Sequence, residues 1–325
     1  MNTMQKYYTN LIILNYGQED GYYCKGRGWQ IHFEANATCH MLVDDKPAKE
    51  IIIYSSSKER AQYVANLLLA AHCLYTGELL TDDERTVFPN RAETIDEIAE
   101  QEIAGGHDCI GVSNLPVSCL IAAKASQKHA YQYAIFKYLL SFQTIPLGPR
   151  ALDPQGDWTP GKAVSLYPKE HVYFSSAISQ AYSVLEELSI EIRASKNNPS
   201  TIHGKWNPKV KNNLQERLIV AGINLSEPLL WTIRDTPTKI EKVRKPKSIK
   251  KTEWASFKVR DEYIEIIDAI AFASWLRSSV SAHKFSRLAK SLTIYDVANI
   301  QHLARRLLLE TLGFWRYYER NSVTE

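Results

Sequence analysis

The chain opens with the alternating and apolar patterns of β-strands. Leu11-Ile-Ile-Leu14, Trp29-Gln-Ile-His-Phe33 and Lys49-Glu-Ile-Ile-Ile-Tyr54 are rich in β-branched and aromatic residues, and Gly- or Asp-containing turns separate them. The period then changes. Ser55-Ser-Ser-Lys-Glu59 carries the hydroxyl and charge of a helix start. Ala61, Val64, Ala65, Leu68 and His72 recur at helical spacing until Gly77 closes the run. Polar residues dominate from Thr81 to Gly106, a loop with a short helix around Ile95 to Ile103. One long helix is expected from Pro116 to about Phe142, with Leu120, Ala123, Tyr131, Ile135, Tyr138 and Leu139 at its apolar positions.

Pro146, Gly148, Pro149, Pro154, Gly156, Pro160, Gly161 and Pro168 then interrupt the pattern, as an interdomain linker does. Beyond them the periodicity is helical. A helix from about Glu170 to Ala194 sets Ile178, Ala181, Tyr182, Leu185 and Leu188 on one face. Pro208 opens a second, with Val210, Leu214, Leu218 and Ala221, and Gly222 ends it. After an irregular region come a helix from about Asp261 to Ser281 and a last one from Tyr295 to Leu312, stopped by Gly313. Thr293 and Asp296 form a capping-box pattern in front of the latter. The expected fold class is α+β: an N-terminal α/β domain over 1–150, a linker over 151–167, and a helical domain over 168–325 with an insertion at about 196–258.

Composition narrows this picture. A chain of 325 residues, 45% hydrophobic and 23% charged, is ordinary globular material with room for two cores. A net charge of +3 and a pI near 8.4 permit an anionic partner without demanding one. No run approaches the ~18 apolar residues of a membrane span, and the first residues lack a signal peptide's apolar core. The expectation is a cytoplasmic protein with no membrane partner. Five scattered cysteines without a C-x-x-C read as reduced structural thiols, and Cys24, His32, Cys39 and His40 fit no common zinc spacing. The absence of Walker, G-x-S-x-G and H-E-x-x-H motifs argues against an NTPase, a serine hydrolase or a zincin.

The chemistry-bearing candidates cluster late. In Trp275-Leu-Arg277-Ser-Ser-Val-Ser-Ala-His283-Lys, a planar cation suited to phosphate precedes a side chain that exchanges protons near neutrality. Positions six apart lie roughly 120° around a continuous helix. Arg277 and His283 therefore converge on one phosphate only if the helix breaks or two copies of the motif meet. One of Glu186 and Glu187 is a candidate to orient Arg277, whereas His302 reads as a partly exposed bundle histidine. Upstream, Lys239 to Lys251 is strongly basic around Pro246. It is either a solvated loop or a phosphate-contacting surface, with Lys245, Lys247, Lys250, Lys251 and Lys284 as contacts. Trp231 and Trp254 flank it as stacking or core residues.

Arg277 with His283, the apolar helix leading into them and the following Ile300-Gln-His-Leu-Ala-Arg-Arg-Leu-Leu-Leu-Glu-Thr-Leu312 resemble the HEPN superfamily over roughly 168–318. The likeness is nearest to members from bacterial anti-phage and toxin–antitoxin systems, which carry R-x4-6-H in a helical bundle. It implies a metal-independent endoribonuclease with an RNA substrate and no cofactor. Arg277 would hold the phosphate, His283 act as base or acid, and Ser278 orient the phosphate or the imidazole. The resemblance also implies a homodimer through the helical domain and leaves room for a regulatory protein partner. Lys284 stands where the family usually has Gly, and no Asn or Asp follows Arg277. The alternative is a non-catalytic protein that binds a nucleotide or nucleic acid or mediates dimerisation.

Overall fold

The structure, a computed structural model, describes residues 4–14, 21–35, 48–77, 79–80, 86–91, 96–97, 100, 114–146, 168–203, 205–234, 259–278 and 292–316. The chain is mixed α+β and divides into two compact units, Met1–Ile135 and Phe136–Glu325. The division falls within a helix, whereas the Pro- and Gly-rich stretch 147–167 lies outside the described residues.

The first unit is built on four strands, β1 (Gln5–Leu14), β2 (Gly21–Gly26), β3 (Trp29–Ala35) and β4 (Ala48–Ser55). They form one sheet of order β1-β4-β3-β2 in which every pairing is antiparallel. Trp29, Ile31 and Phe33 alternate with Gln30, His32 and Glu34 along β3, and the former set is buried. On that face pack α1 (Lys58–Thr76) and α2 (Leu115–Ala125). Ser57 caps α1 by accepting from the Arg60 amide at 3.2 Å, and Gly77 ends it at φ 74°. Ile51, Ile52 and Ile53 are all fully buried, because β4 is an inner strand. The opposite face carries a chain of ion pairs: Lys6 to Glu34 at 2.6 Å, Arg91 to Glu34 at 3.5 Å, and Arg91 to the fully buried Glu50 at 3.2 Å. A buried carboxylate needs such a partner.

The single long helix expected from Pro116 to Phe142 is two helices, α2 and α3 (His129–Thr144). The break is tertiary. Ser126 Oγ donates to Ala123 O at 2.8 Å and accepts the Arg27 amide at 3.1 Å, while Gln132 donates to Ser126 O at 3.1 Å. The β2–β3 turn thus docks on the end of α2. Gly26 allows the approach, since a Cβ there would meet the Trp29 indole and Ser126 Oγ.

The second unit holds α4 (Pro168–Glu187), a short hairpin of β5 (Thr201–Ile202) and β6 (Lys205–Trp206), α5 (Pro208–Val220), a ribbon of β7 (Leu229–Arg234) and β8 (Val259–Ile264), then α6 (Ile266–Leu276) and α7 (Ile294–Leu312). α4 ends earlier than expected because Ser189 turns left-handed at φ 58°, a position no glycine marks. Asp261–Ile264, expected to begin a helix, is strand: it pairs in register with Leu229–Thr232, opposite Trp231, whose ring meets Phe272 edge-on at 5.5 Å. α5 and α7 run as expected, with Asn207 and Thr293 as caps and Gly222 and Gly313 beyond the ends. Thr293 and Asp296 form the full capping box.

Cys24, Cys73 and Cys119 are free, buried thiols. Cys24 faces α2, with Sγ 3.6 Å from Cys119 O, whereas His32 lies on the other sheet face and meets Tyr54, so the two cannot share a metal ion. Among the described residues no His, Cys, Asp and Glu group is placed to hold a metal, and no helix is long and apolar enough to cross a membrane.

His72 of α1 is fully buried, with Nδ1 3.3 Å from Ser118 Oγ and Nε2 without a hydrogen-bond partner. Burial pushes its imidazole down from 6.5 to about 4. The unfolded chain therefore binds a proton that the folded unit refuses, and stability is lost as pH falls from 6.5 toward 4, by up to ~1.4 kcal/mol per pH unit. Denaturant titrations of wild type and His72→Gln between pH 8 and 4 test this. The variant should start less stable and show a shallower acid limb. Parallel limbs would remove His72 as the cause.

Candidate functional site

α6 is apolar on most sides, with Ile266, Ile267, Ala269, Ile270, Phe272, Ala273 and Leu276 buried, so only packing on neighbouring helices makes it stable. Its N-terminus lacks a side-chain cap, but Asp268 stands in the first turn and accepts from Trp206 Nε1 at 2.9 Å. At the other end the helix widens: Arg277 and Ser278 continue it in a π-type turn. Such turns re-aim side chains relative to the regular 100° step. Arg277 and Ser278 are both exposed there.

α4 supplies what Arg277 meets. Tyr182 and Glu186 are four residues apart and share a stripe of that helix. The Arg277 guanidinium lies 5.8 Å from the Tyr182 ring centroid, and its Nη2 is 3.1 Å from Glu186 Oε1. Of the two adjacent acids only Glu186 engages it, because Glu187 points elsewhere and pairs with Lys137 at 2.6 Å. Tyr182 is 4% exposed; burial pushes its phenol up, and the hydroxyl is hydrogen-bonded to Ser274 of α6. The Arg277–Glu186 pair itself is open, with side chains 45% and 37% exposed. Pairs of that kind contribute ~0.2–1 kcal/mol, so the fold hardly depends on it.

Ser278 donates its hydroxyl to Ser274 O at 2.8 Å within the helix. What it presents outward is lone pairs, which suit an imidazole N–H better than a phosphate oxygen. His283, Lys284, Lys245, Lys247, Lys250 and Lys251 lie outside the described residues, as do Trp254 and the rest of 235–258. The flanks of that segment are described: β7 and β8 pair as far as Arg234 and Val259. Trp231 is a core residue at 4% exposure. His302 is half-buried against Trp315, 6.3 Å between ring centroids, and burial with Arg305 and Arg306 nearby pushes it down to about 3. A group held neutral that far below neutrality carries no proton in catalysis at pH 7.

Tyr182 was legible only as an apolar position of its helix. The signal for more was its i,i+4 relation to Glu186, which becomes informative once Arg277 is known to face α4. Comparison with protein-family models, curated proteins and solved structures returns no match to this chain.

The ribbon depends on one side chain. Asn299 of α7 accepts the Thr232 amide at 2.9 Å and donates to the Thr232 carbonyl at 2.9 Å, completing the outer edge of β7. Asn299→Leu strands both backbone groups at a buried residue and should cost about 2–4 kcal/mol in denaturant titrations. Amide exchange at Thr232 should accelerate with it. Unchanged stability and exchange would show that the pairing is incidental.

Proposed function

We propose that the second unit is a HEPN-like endoribonuclease that cleaves RNA without a metal ion. One observation carries the reading: Arg277 is held, exposed, at the widened end of an apolar helix, between an aromatic face and a carboxylate. A structural arginine is normally buried with its donors used; this one keeps donors toward solvent, among the described residues. With His283 six positions on, the pair supplies what transesterification of RNA requires. His283 takes the proton of a ribose 2′-OH, which attacks the adjacent phosphorus. The P–O5′ bond breaks as the protonated His283 returns that proton to the leaving 5′-oxygen, and the products are a 2′,3′-cyclic phosphate and a 5′-hydroxyl. Arg277 meets the charge that builds on the nonbridging oxygens. Ser278 offers its lone pairs to the imidazole.

The basic stretch 239–251, which joins β7 to β8 in sequence, has the composition for phosphate contact apart from the chemistry. A homodimer through the helical unit brings two motifs to one cleft. The first unit is then the sensor or regulatory part, with a role in anti-phage defence or a toxin–antitoxin pair, where a protein regulator finds its place.

The test uses purified full-length protein and single-stranded RNA in EDTA. Wild type should produce 2′,3′-cyclic phosphate ends, and His283→Ala and Arg277→Ala should each lose about 100-fold or more in kcat. RNA binding without His283-dependent cleavage would favour the non-catalytic binding reading. No binding at all would remove RNA as the partner.

A second prediction separates affinity from chemistry. Neutralising Lys245, Lys247, Lys250 and Lys251 together should raise KM and flatten its salt dependence by about three to four charges, leaving kcat nearly unchanged. An unaltered salt slope would mark the stretch as a solvated loop.

A further inference from the structure

We infer that Glu186 is the positioning residue of Arg277, and that with Tyr182 it holds the guanidinium where it meets the phosphate; this rests on the ribonuclease reading. A guanidinium has two faces and two hydrogen-bonding edges. Its Cζ lies 5.8 Å from the Tyr182 ring centroid, and its nearest approach to Glu186 is Nη2 to Oε1, at 3.1 Å. No partner for Nε or Nη1 stands among the described residues. The ion pair is open to solvent, so it holds the guanidinium against α4 and leaves it accessible to a phosphate.

Both constraints come from one helix. Tyr182 is buried and tied to Ser274, one turn before Arg277 on α6, so the ring is a fixed surface. Glu186 follows one turn later on the same stripe of α4. The end of α4 is itself anchored, since Arg217 of α5 donates to Ser189 O at 2.5 Å and Glu191 O at 2.7 Å. A long side chain at a helix end has many rotamers of similar energy, and these contacts select one.

The exposure of the pair argues for positioning over stability, and its charge makes a distinguishable prediction. Glu186 attracts Arg277 but repels an arriving phosphate. Gln at 186 still accepts through Oε1 and lacks the repulsion. Glu186→Gln should keep kcat within about threefold with a lower KM, whereas Glu186→Ala should lose about tenfold in kcat with little change in KM. Thermal midpoints should match wild type in both, because the pair is open to solvent.

A readout independent of activity completes the test. The Arg277 side-chain nitrogen signals, assigned by their loss in Arg277→Lys, should show hindered guanidinium rotation in wild type and Glu186→Gln and averaging in Glu186→Ala. If kcat and these signals are the same in Glu186→Ala as in wild type, the positioning role is wrong. A kcat loss in Glu186→Gln equal to that in Glu186→Ala would overturn it too, since charge and not direction would then matter. Signals that respond to Glu186→Ala in a protein without His283-dependent cleavage support the orienting contact and overturn the ribonuclease reading beneath it.

Discussion

The second unit depends on one helix satisfying the backbone of its neighbours. α7 is buried along nearly its whole length, and its polar side chains Asn299, Gln301 and Arg306 bond the main chain of other elements. Asn299 completes the edge of β7. Gln301 donates to the carbonyls of Ser141 and Ile145 at 3.0 Å, where α3 has run out of its own amides. Arg306 donates to Glu227 O at 2.9 Å and Pro228 O at 2.8 Å, at the entry to β7. Buried backbone groups cost ~1–3 kcal/mol each when unpaired, and no loop or ribbon here can pair all its own. A helix of leucines alone would bury as much apolar surface but would leave these groups orphaned. That is why so polar a set sits at so buried a place.

The first unit solves a related problem with charge. Its sheet has one apolar face under α1 and α2, while the other carries Lys6, Glu34, Arg91 and Glu50 in a continuous chain. Tyr8 lies beneath both cations, 5.1 Å from Lys6 and 5.3 Å from Arg91. Arg91 supplies the counter-charge that a carboxyl group at zero exposure needs. His72, inside the apolar face, has no opposite charge to offset its burial and remains neutral instead. Within one sheet unit, two titratable groups of equal burial thus take opposite routes, decided by whether a counter-charge is in reach.

Elements with local signals were legible in advance. α1, α5 and α7 begin at Ser57, Asn207 and Thr293 and end before glycines, because capping chemistry is written within four residues. The misses share a cause of the opposite kind. The break between α2 and α3 is made by Arg27, nearly a hundred residues away in sequence, and the early stop of α4 by a left-handed serine held through Arg217. β8 reads as helix because Asp261 and Glu262 are disfavoured in strands and outweigh Tyr263 and Ile264, which favour them; its conformation comes from pairing with β7. At the candidate site, residue types and spacing singled out Arg277 and the choice between Glu186 and Glu187. The aromatic platform needed the packing of α6 on α4, which no local pattern states.

Two arginines of the second unit differ in what the fold gains from them. Arg306 is 1% exposed, its donors taken by two carbonyls and by Glu310, with Trp315 at 5.3 Å from its Cζ. Lysine there could not serve two carbonyls in a fixed fork, and each of the three guanidinium nitrogens already has a partner within the fold. Arg277 also has a ring and a carboxylate, but the guanidinium and its carboxylate are both exposed. The fold gains little from that arrangement, because a solvated pair barely outweighs the entropy of holding a long side chain still. Order imposed on an exposed cation with so small a return in stability is what preorganised recognition of an anion requires: the entropy is spent before the ligand arrives.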